Sequence, residues 1–298
     1  MSYAIDATPL WVPNPATVGK TRMAQFMQQM GQHRYADLWQ WSVDQPADFW
    51  SEIWDFCGAV GEKGNVVLRD GNKMPGAGWF PEARLNYAEN LLQRRDDGEA
   101  LVFWGENKIQ RRMSRAELYH AVARFQQFLI AAGVGEGDRV AAFLPNLPET
   151  LIAMLAATAL GAVWSSASPD FGVQGVLDRF GQIEPKVLIC VDGYWYNGKA
   201  VDCLAKNAEI ACKIPSLLKT VVVPYLNGDA DLSQIAHAVA WNEIVATVET
   251  GTGPAVDGKK EVIFKRLAFN HPLFIMFSSG TTGVPKCIVH CHGGVLLQ

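Results

Sequence analysis

From about residue 100 onward the chain alternates short apolar runs with segments of helical spacing. Leu101 to Trp104, Arg139 to Leu144, Ala162 to Ser166, Lys186 to Val191, Thr220 to Pro224 and Leu273 to Phe277 read as strands, the last of them the final clear one. Ser114-Arg115-Ala116-Glu117 is a capping box, in which the Ser and Glu side chains satisfy each other's backbone N–H groups. It opens a helix whose buried face is Leu118, Val122, Phe125 and Leu129, and Gly133 stops it. Pro148 starts a helix to about Leu160, with Gly161 suited to the left-handed cap. Asp170 is placed to cap a helix through Leu177 and Phe180. A further helical pattern lies between Val191 and Thr220. Short apolar strands alternating with helices predict a parallel sheet covered on both faces. Ligands of such sheets sit beyond the carboxyl ends of the strands, so the loops after Leu144, Ser166, Val191 and Phe277 should share one functional rim.

The first ninety or so residues differ. They are rich in Trp, Pro and Met and show helical patterns with no strands between them. Met23, Phe26, Met27 and Met30 fall at helical spacing within residues 17–30. A second helix begins near Pro46, with Phe49, Trp50, Ile53 and Trp54 on one face. An aromatic stripe of this kind is read as core that anchors the segment to the main domain.

Composition narrows the classes. The 298 residues are 49% hydrophobic and 19% charged, which is globular rather than disordered. A net charge of −4 and the lack of a basic stripe argue against nucleic acid as a partner. No basic and apolar leader opens the chain, and the longest nearly apolar run, Leu151 to Trp164, is too short to span a bilayer. The six cysteines are scattered without framework spacing, which suits reduced thiols and a cytoplasmic location.

The strongest chemical signal follows the last strand: Ser278-Ser279-Gly280-Thr281-Thr282-Gly283-Val284-Pro285-Lys286. The two glycines let the backbone approach a bulky anion, and the hydroxyls and inward N–H groups supply donors. Lys286 adds a positive charge, and Pro285 stiffens the return. Together they make a clamp for a polyphosphate. The order is not that of a P-loop, because Gly283 and Lys286 are not adjacent. Gly19-Lys20-Thr21 fails as well, because Asn14 occupies the position of the required upstream Gly.

Ser279 to Lys286 resembles the phosphate loop of the adenylate-forming enzymes, with Cys287 where that family usually has Gly. Trp79-Phe80 and Leu85-Asn86-Tyr87-Ala88-Glu89-Asn90-Leu91-Leu92 resemble the N-terminal signature of the acetyl-CoA and acetoacetyl-CoA synthetase branch. Leu38-Trp39-Gln40-Trp41-Ser42-Val43, Phe49-Trp50, Trp164 to Val173, Gly175 to Phe180, Tyr196-Asn197-Gly198-Lys199 and His271 to Phe277 bring it nearer to the acetoacetyl-CoA synthetases. The resemblance implies the large N-terminal domain of that family, an α/β fold of stacked, mostly parallel sheets covered by helices, here truncated. It implies an N-terminal helical segment of the acetyl-CoA-synthetase type over residues 1–95. The first part of an AMP-binding (adenylation) domain would occupy 96–298, with the C-terminal small domain absent.

The implied reaction joins acetoacetate and ATP into an acyl-adenylate and pyrophosphate. CoA thiol then displaces AMP. ATP with Mg²⁺ and CoA as co-substrate are therefore expected, the partners being small molecules, with no nucleic acid and no membrane. Ser278, Ser279, Gly280, Thr281, Thr282, Gly283 and Lys286 would hold the ATP phosphates. Lys199 falls where the acetyl-CoA branch places a basic residue near the 3′-phosphate of CoA, and Tyr196 stands where a second would be. A solvated surface lysine is the alternative for Lys199. The Ser168-Pro169-Asp170 loop stands where the acetyl branch has a Gly-rich turn, on the CoA side. Cys287, His290, Cys291 and His292 lack a zinc pattern, and on a strand Cys287 and Cys291 face one side and His290 the other. No metal site is expected. The family places its adenine-binding segment, acyl pocket and catalytic small-domain Lys after residue 298, so no complete catalytic set is expected here. The 298 residues alone are expected not to synthesise acetoacetyl-CoA. Acetate or propionate as the acid, or a non-catalytic nucleotide-binding remnant, remain alternatives.

Overall fold

The computed structural model describes residues 9–247, 255–256, 259–278 and 283–298, and it divides into two compact units after Ala59. The first unit holds helices α1 (Pro15–Val18), α2 (Arg22–Gln29), α3 (Tyr35–Asp44) and α4 (Pro46–Cys57). The helical spacing read across 17–30 resolves into two pieces. Thr21 takes an extended backbone, and its hydroxyl accepts from the Ala24 N–H at 3.2 Å, which starts α2 afresh. α4 begins at Pro46 as its sequence predicts and ends on Gly58 in the left-handed region. Phe26 meets the rings of Trp41, Phe49 and Phe56 at centroid distances of 6.4, 6.0 and 4.9 Å, so these aromatics form a core within this unit.

The second unit opens with four two-residue strands, β1 (Gly61–Glu62), β2 (Leu68–Arg69), β3 (Gly78–Trp79) and β4 (Arg84–Leu85). They correct the expectation of a strand-free N-terminal region, because pairs this short carry no periodicity to read. α5 (Tyr87–Leu91) follows, its first turn capped by Asn86. β5 (Glu99–Gly105) then pairs antiparallel with β6 (Ile109–Ser114) as a hairpin of its own. Leu101 to Trp104 is thus not the first strand of the parallel sheet. The connection of three residues is too short for a parallel crossover.

The strand-helix alternation begins with α6 (Arg115–Ala131) and continues through β7 (Arg139–Phe143), α7 (Pro148–Ala159), β8 (Val163–Ala167), α8 (Val173–Ile183) and β9 (Val187–Val191). A small hairpin of β10 (Gly193–Tyr196) and β11 (Lys199–Asp202) interrupts it before α9 (Leu204–Lys213), β12 (Lys219–Val223), β13 (Ala238–Ala240) and α10 (Trp241–Thr247). Short pairs β14 (Ala255–Val256) with β15 (Lys259–Lys260), and β16 (Leu267–Ala268) with β4, precede β17 (Pro272–Ser278), β18 (Lys286–Cys291) and α11 (His292–Leu297). The main sheet has the order β13-β12-β9-β7-β8-β17-β18, parallel throughout except for β18.

Strand alternation divides the interior in two. Val140, Ala142, Ile189 and Val221 face a core shared with α6, α7 and α10. Ala141, Phe143, Leu188 and Val222 face a second core shared with α8 and α9. The capping box forms as its sequence predicts, with Ser114 N–H to Glu117 at 2.7 Å and Glu117 N–H to the Ser114 hydroxyl at 3.2 Å. Leu118, Val122, Phe125 and Leu129 are buried. Gly133 and Gly161 both adopt left-handed backbones just past their helices. No helix among the described residues is long and apolar enough to cross a membrane.

Candidate active-site rim

β7, β8, β9 and β17 run parallel, so their carboxyl ends lie along one rim, where the sequence placed the functional loops. Two clefts open there. One of about 520 Å³ lies between β8 and β17 and is lined by Trp164, Ser166, Phe171, Arg179, Phe274 and Met276, among others. The other, about 380 Å³, is lined by Asn146, Thr150, Ser168, Asp170, Tyr194 and Tyr196, among others.

β17 and β18 form the hairpin whose connection carries the glycine- and hydroxyl-rich sequence. The register sets Ser278 directly opposite Lys286, so these two residues close the hairpin and frame the loop. Gly283 has φ of 109°, a conformation side chains resist, at the start of the return limb. Ser279, Gly280, Thr281 and Thr282 lie outside the described residues. The incoming strand joins the sheet through one registered pair, Phe274 with Trp164, and packs Phe274, Ile275 and Phe277 against the two cores. Beside that pair the buried Ser165 hydroxyl donates to the Ile275 carbonyl at 2.7 Å. The return limb is held by Gln182 of α8, which contacts Pro285 and Cys287.

The wall of the second cleft is set by an acid–phenol pair. Tyr194 donates its O–H to Asp170 at 2.6 Å, and the Ser168 hydroxyl donates to the same carboxylate at 2.8 Å. The Tyr194 and then the Ser168 hydrogen bonds hold the Asp170 carboxyl below its ordinary range. Burial first, and the Asp170 bond second, push Tyr194 up to about 12. At neutral pH the pair is therefore an anion and a neutral donor. Asp170 does not cap α8. The cap position is Gly172, with no side-chain bond, because the carboxylate two residues earlier is engaged by Tyr194.

Tyr196 and Lys199 are the closing pair of the β10–β11 hairpin, so their side chains share a face. Asn197 and Gly198 turn between them with φ of 51° and 75°, the two positive values of a type I′ turn. Glu106, at the tip of the β5–β6 hairpin, accepts from the Gly198 N–H at 2.9 Å and fixes this turn. Tyr196 lines the second cleft and is largely exposed. Among the described residues no three His, Cys, Asp or Glu side chains gather in a way that could hold a metal ion. His290 is exposed on β18, whereas His292 is fully buried. His292 Nδ1 accepts from the Tyr87 N–H at 3.2 Å, which puts the proton of the neutral ring on Nε2.

Residues 88–298 match the family model described as AMP-binding enzyme. The chain belongs to the AMP-binding enzyme family. Residues 35–91 match a second family model, the acetyl-coenzyme A synthetase N-terminus. The chain is 48% identical to the acetoacetyl-coenzyme A synthetase of Rhizobium meliloti (strain 1021), over 97% of its own length and 44% of that relative's. It is 40% identical to the acetoacetyl-CoA synthetase of Xenopus tropicalis, over 100% and 45%. The solved acetoacetyl-CoA synthetase from Streptomyces lividans superposes with a TM-score of 0.88 at 37% identity, covering 97% of this chain and 44% of that one. The chain thus spans under half the length of these relatives. The sequence marks residues 278–286 by their chemistry and residues 196–199 by their family likeness. It missed Ser165 and Gln182, single polar residues whose partners lie 110 and 103 positions away.

Proposed function

We propose that these residues serve an ATP-dependent ligase joining acetoacetate to CoA through an acyl-adenylate, with release of pyrophosphate and then AMP. The observation that carries this reading is the β17–β18 hairpin, which sets Ser278 against Lys286 at the base of a glycine- and hydroxyl-rich loop on the carboxyl rim of the sheet. Chemistry of this kind asks the protein for positioning and neutralisation of phosphate charge. Ser278, Ser279, Gly280, Thr281, Thr282, Gly283 and Lys286 would grip the β- and γ-phosphates of ATP, with Mg²⁺ sharing their charge. The loop's hydroxyls, glycine N–H groups and single cation fit that anion. The adjoining cleft of about 520 Å³ leaves room for substrate beside it. Lys199 and Tyr196, side by side on their hairpin next to the second cleft, would meet the phosphate end of CoA.

The same reading assigns residues 1–95 to an N-terminal segment and 96–298 to the adenylation domain, and it places the protein in the cytoplasm. The relatives are more than twice as long as the matched region, so the proposed activity is that of a polypeptide of their full length. We expect the 298 residues alone not to complete the ligation. The test uses a full-length polypeptide carrying these residues. Labelled pyrophosphate should exchange into ATP on addition of acetoacetate, and CoA should then draw AMP and thioester out. Preference for acetate or propionate would change the acid assigned. Lack of exchange with every short carboxylic acid would end the ligase reading.

A further inference from the structure

Lys286 sits at the edge of the sheet on a strand paired on one side only, to β17. β18 is the terminal strand of the sheet, and residues 286–290 are exposed. Among the described residues one side chain from the neighbouring layer hydrogen-bonds to this limb. Gln182, in the last turn of α8, donates from Nε2 to the Pro285 carbonyl at 2.9 Å and to the Asp178 carbonyl at 2.5 Å. Its Oε1 accepts from the Cys287 thiol at 3.8 Å. Both amide hydrogens and the amide oxygen are used. The reverse orientation would set an oxygen against two carbonyl oxygens, so the network fixes which way the amide points.

The two contacts fall on the residues immediately before and after Lys286. Cys287 turns its side chain toward α8, and strand alternation then sends the Lys286 side chain to the opposite face of the sheet. No described residue pairs with its ammonium. Across the hairpin Lys286 is held in register by Ser278. The backbone at Lys286 is therefore pinned on three sides while its charge is left available. Pro285 has no N–H to spend, and Gln182 satisfies its carbonyl.

We propose that Gln182 is a positioning residue for the polyphosphate loop. It fixes the return limb so that Lys286 meets an anion already aligned. The proposal rests on the reading of this loop as a phosphate clamp. Its physical content is preorganisation. A lysine on an unpinned edge strand must be ordered when the ligand arrives, and that ordering cost is subtracted from affinity. Two neutral hydrogen bonds near solvent are worth about a three- to tenfold difference in binding.

The test compares a full-length polypeptide carrying these residues with its Gln182→Ala and Gln182→Met variants. Met keeps the long stem and lacks both donors, which guards against a variant that fails through packing. Hydrogen exchange is followed in the peptide spanning residues 283–291, and binding of Mg·ATP and of inorganic tripolyphosphate is measured by calorimetry. We expect faster exchange confined to that peptide, about three- to tenfold weaker binding of both ligands in both variants, and an unchanged melting temperature. Unchanged exchange and affinity, with the wild-type chain binding both ligands, would overturn the positioning role of Gln182 and leave the phosphate reading intact. No binding of either ligand by the wild-type chain would overturn the phosphate reading, and the proposal with it.

Discussion

β9 and β18 belong to one sheet and are held in it by different means. All five residues of β9 are buried, and it is paired on both sides, over five positions with β12 and four with β7. β18 lies at the edge with five of its six residues exposed. Its partner β17 joins the rest of the sheet through one registered pair and the Ser165 hydroxyl. Burial secures the first strand, whereas a one-sided ladder of six registered pairs to β17 and a few polar side chains hold the second. Stability is thus concentrated away from the rim, and the strand carrying Lys286 remains open to a ligand. The two regions should therefore respond separately to substitution, and the expected effects on stability fall in order from the interior to the loop.

The largest effect belongs to the interior. Phe143 is 1% exposed and packs in the core shared with α8 and α9. Phe143→Ala should cost about 3–5 kcal/mol of unfolding free energy, measured by denaturant titration with an unchanged m-value. A cost near zero would mean that the interior is not the anchor.

Acid comes next. Burial, and secondarily the neighbouring His271, depress the His292 pKa from 6.5 to about 3. Its Nε2 has no hydrogen-bond partner among the described residues. The folded protein keeps this ring neutral, whereas the unfolded chain protonates it below about pH 6.5. Stability is fully present above that pH and falls as pH drops toward 3, by at most about 1.4 kcal/mol per unit. His292→Asn should flatten the midpoint-versus-pH curve between pH 6.5 and 4.5. A curve of undiminished slope would place the acid sensitivity elsewhere.

The interior was open to reading because burial writes itself into composition. β9 is an unbroken apolar run, β7 and β12 are apolar after Arg139 and after Lys219-Thr220, and the capping box at Ser114 and the glycines at 133 and 161 mark helix ends by chemistry alone. Helix α3, the two-residue strands between Gly61 and Leu85, and strand β6 carried no such run. Their partners lie across the chain or across a turn. Asn197-Gly198 is a hairpin signal in its own right, its two positive φ values being those of a type I′ turn. Asp170 looked like a helix cap, since nothing nearby in sequence announces that Tyr194 will claim it. Loop chemistry at 278–286 was visible as residue types. The side chains that hold the loop's base were not, because an exposed Gln on a helix says nothing about a strand 103 residues later.

A smaller effect is expected at the junction. Ser165→Ala removes the hydroxyl donor to the Ile275 carbonyl and should cost about 1 kcal/mol. The loss should appear as faster hydrogen exchange in β17 while β9 stays protected. Equal deprotection of both strands would show that the hairpin and the interior open as one unit.

Lys286→Ala should change stability least, by about 0.5 kcal/mol or less, because the side chain is exposed and no described residue pairs with it. Its effect on chemistry should be the reverse. A cation aimed at charge developing on phosphate is typically worth about 3–4 kcal/mol of transition-state stabilisation. In a full-length polypeptide the substitution should slow acetoacetate-dependent pyrophosphate exchange by several hundredfold or more. It should leave thioester formation from preformed adenylate much less affected, because the β- and γ-phosphates have departed before the thiol attacks. Equal losses in the two half-reactions would show that Lys286 does not act on those phosphates. A large loss of stability would show that the loop is part of the scaffold, and the separation between β9 and β18 would fail.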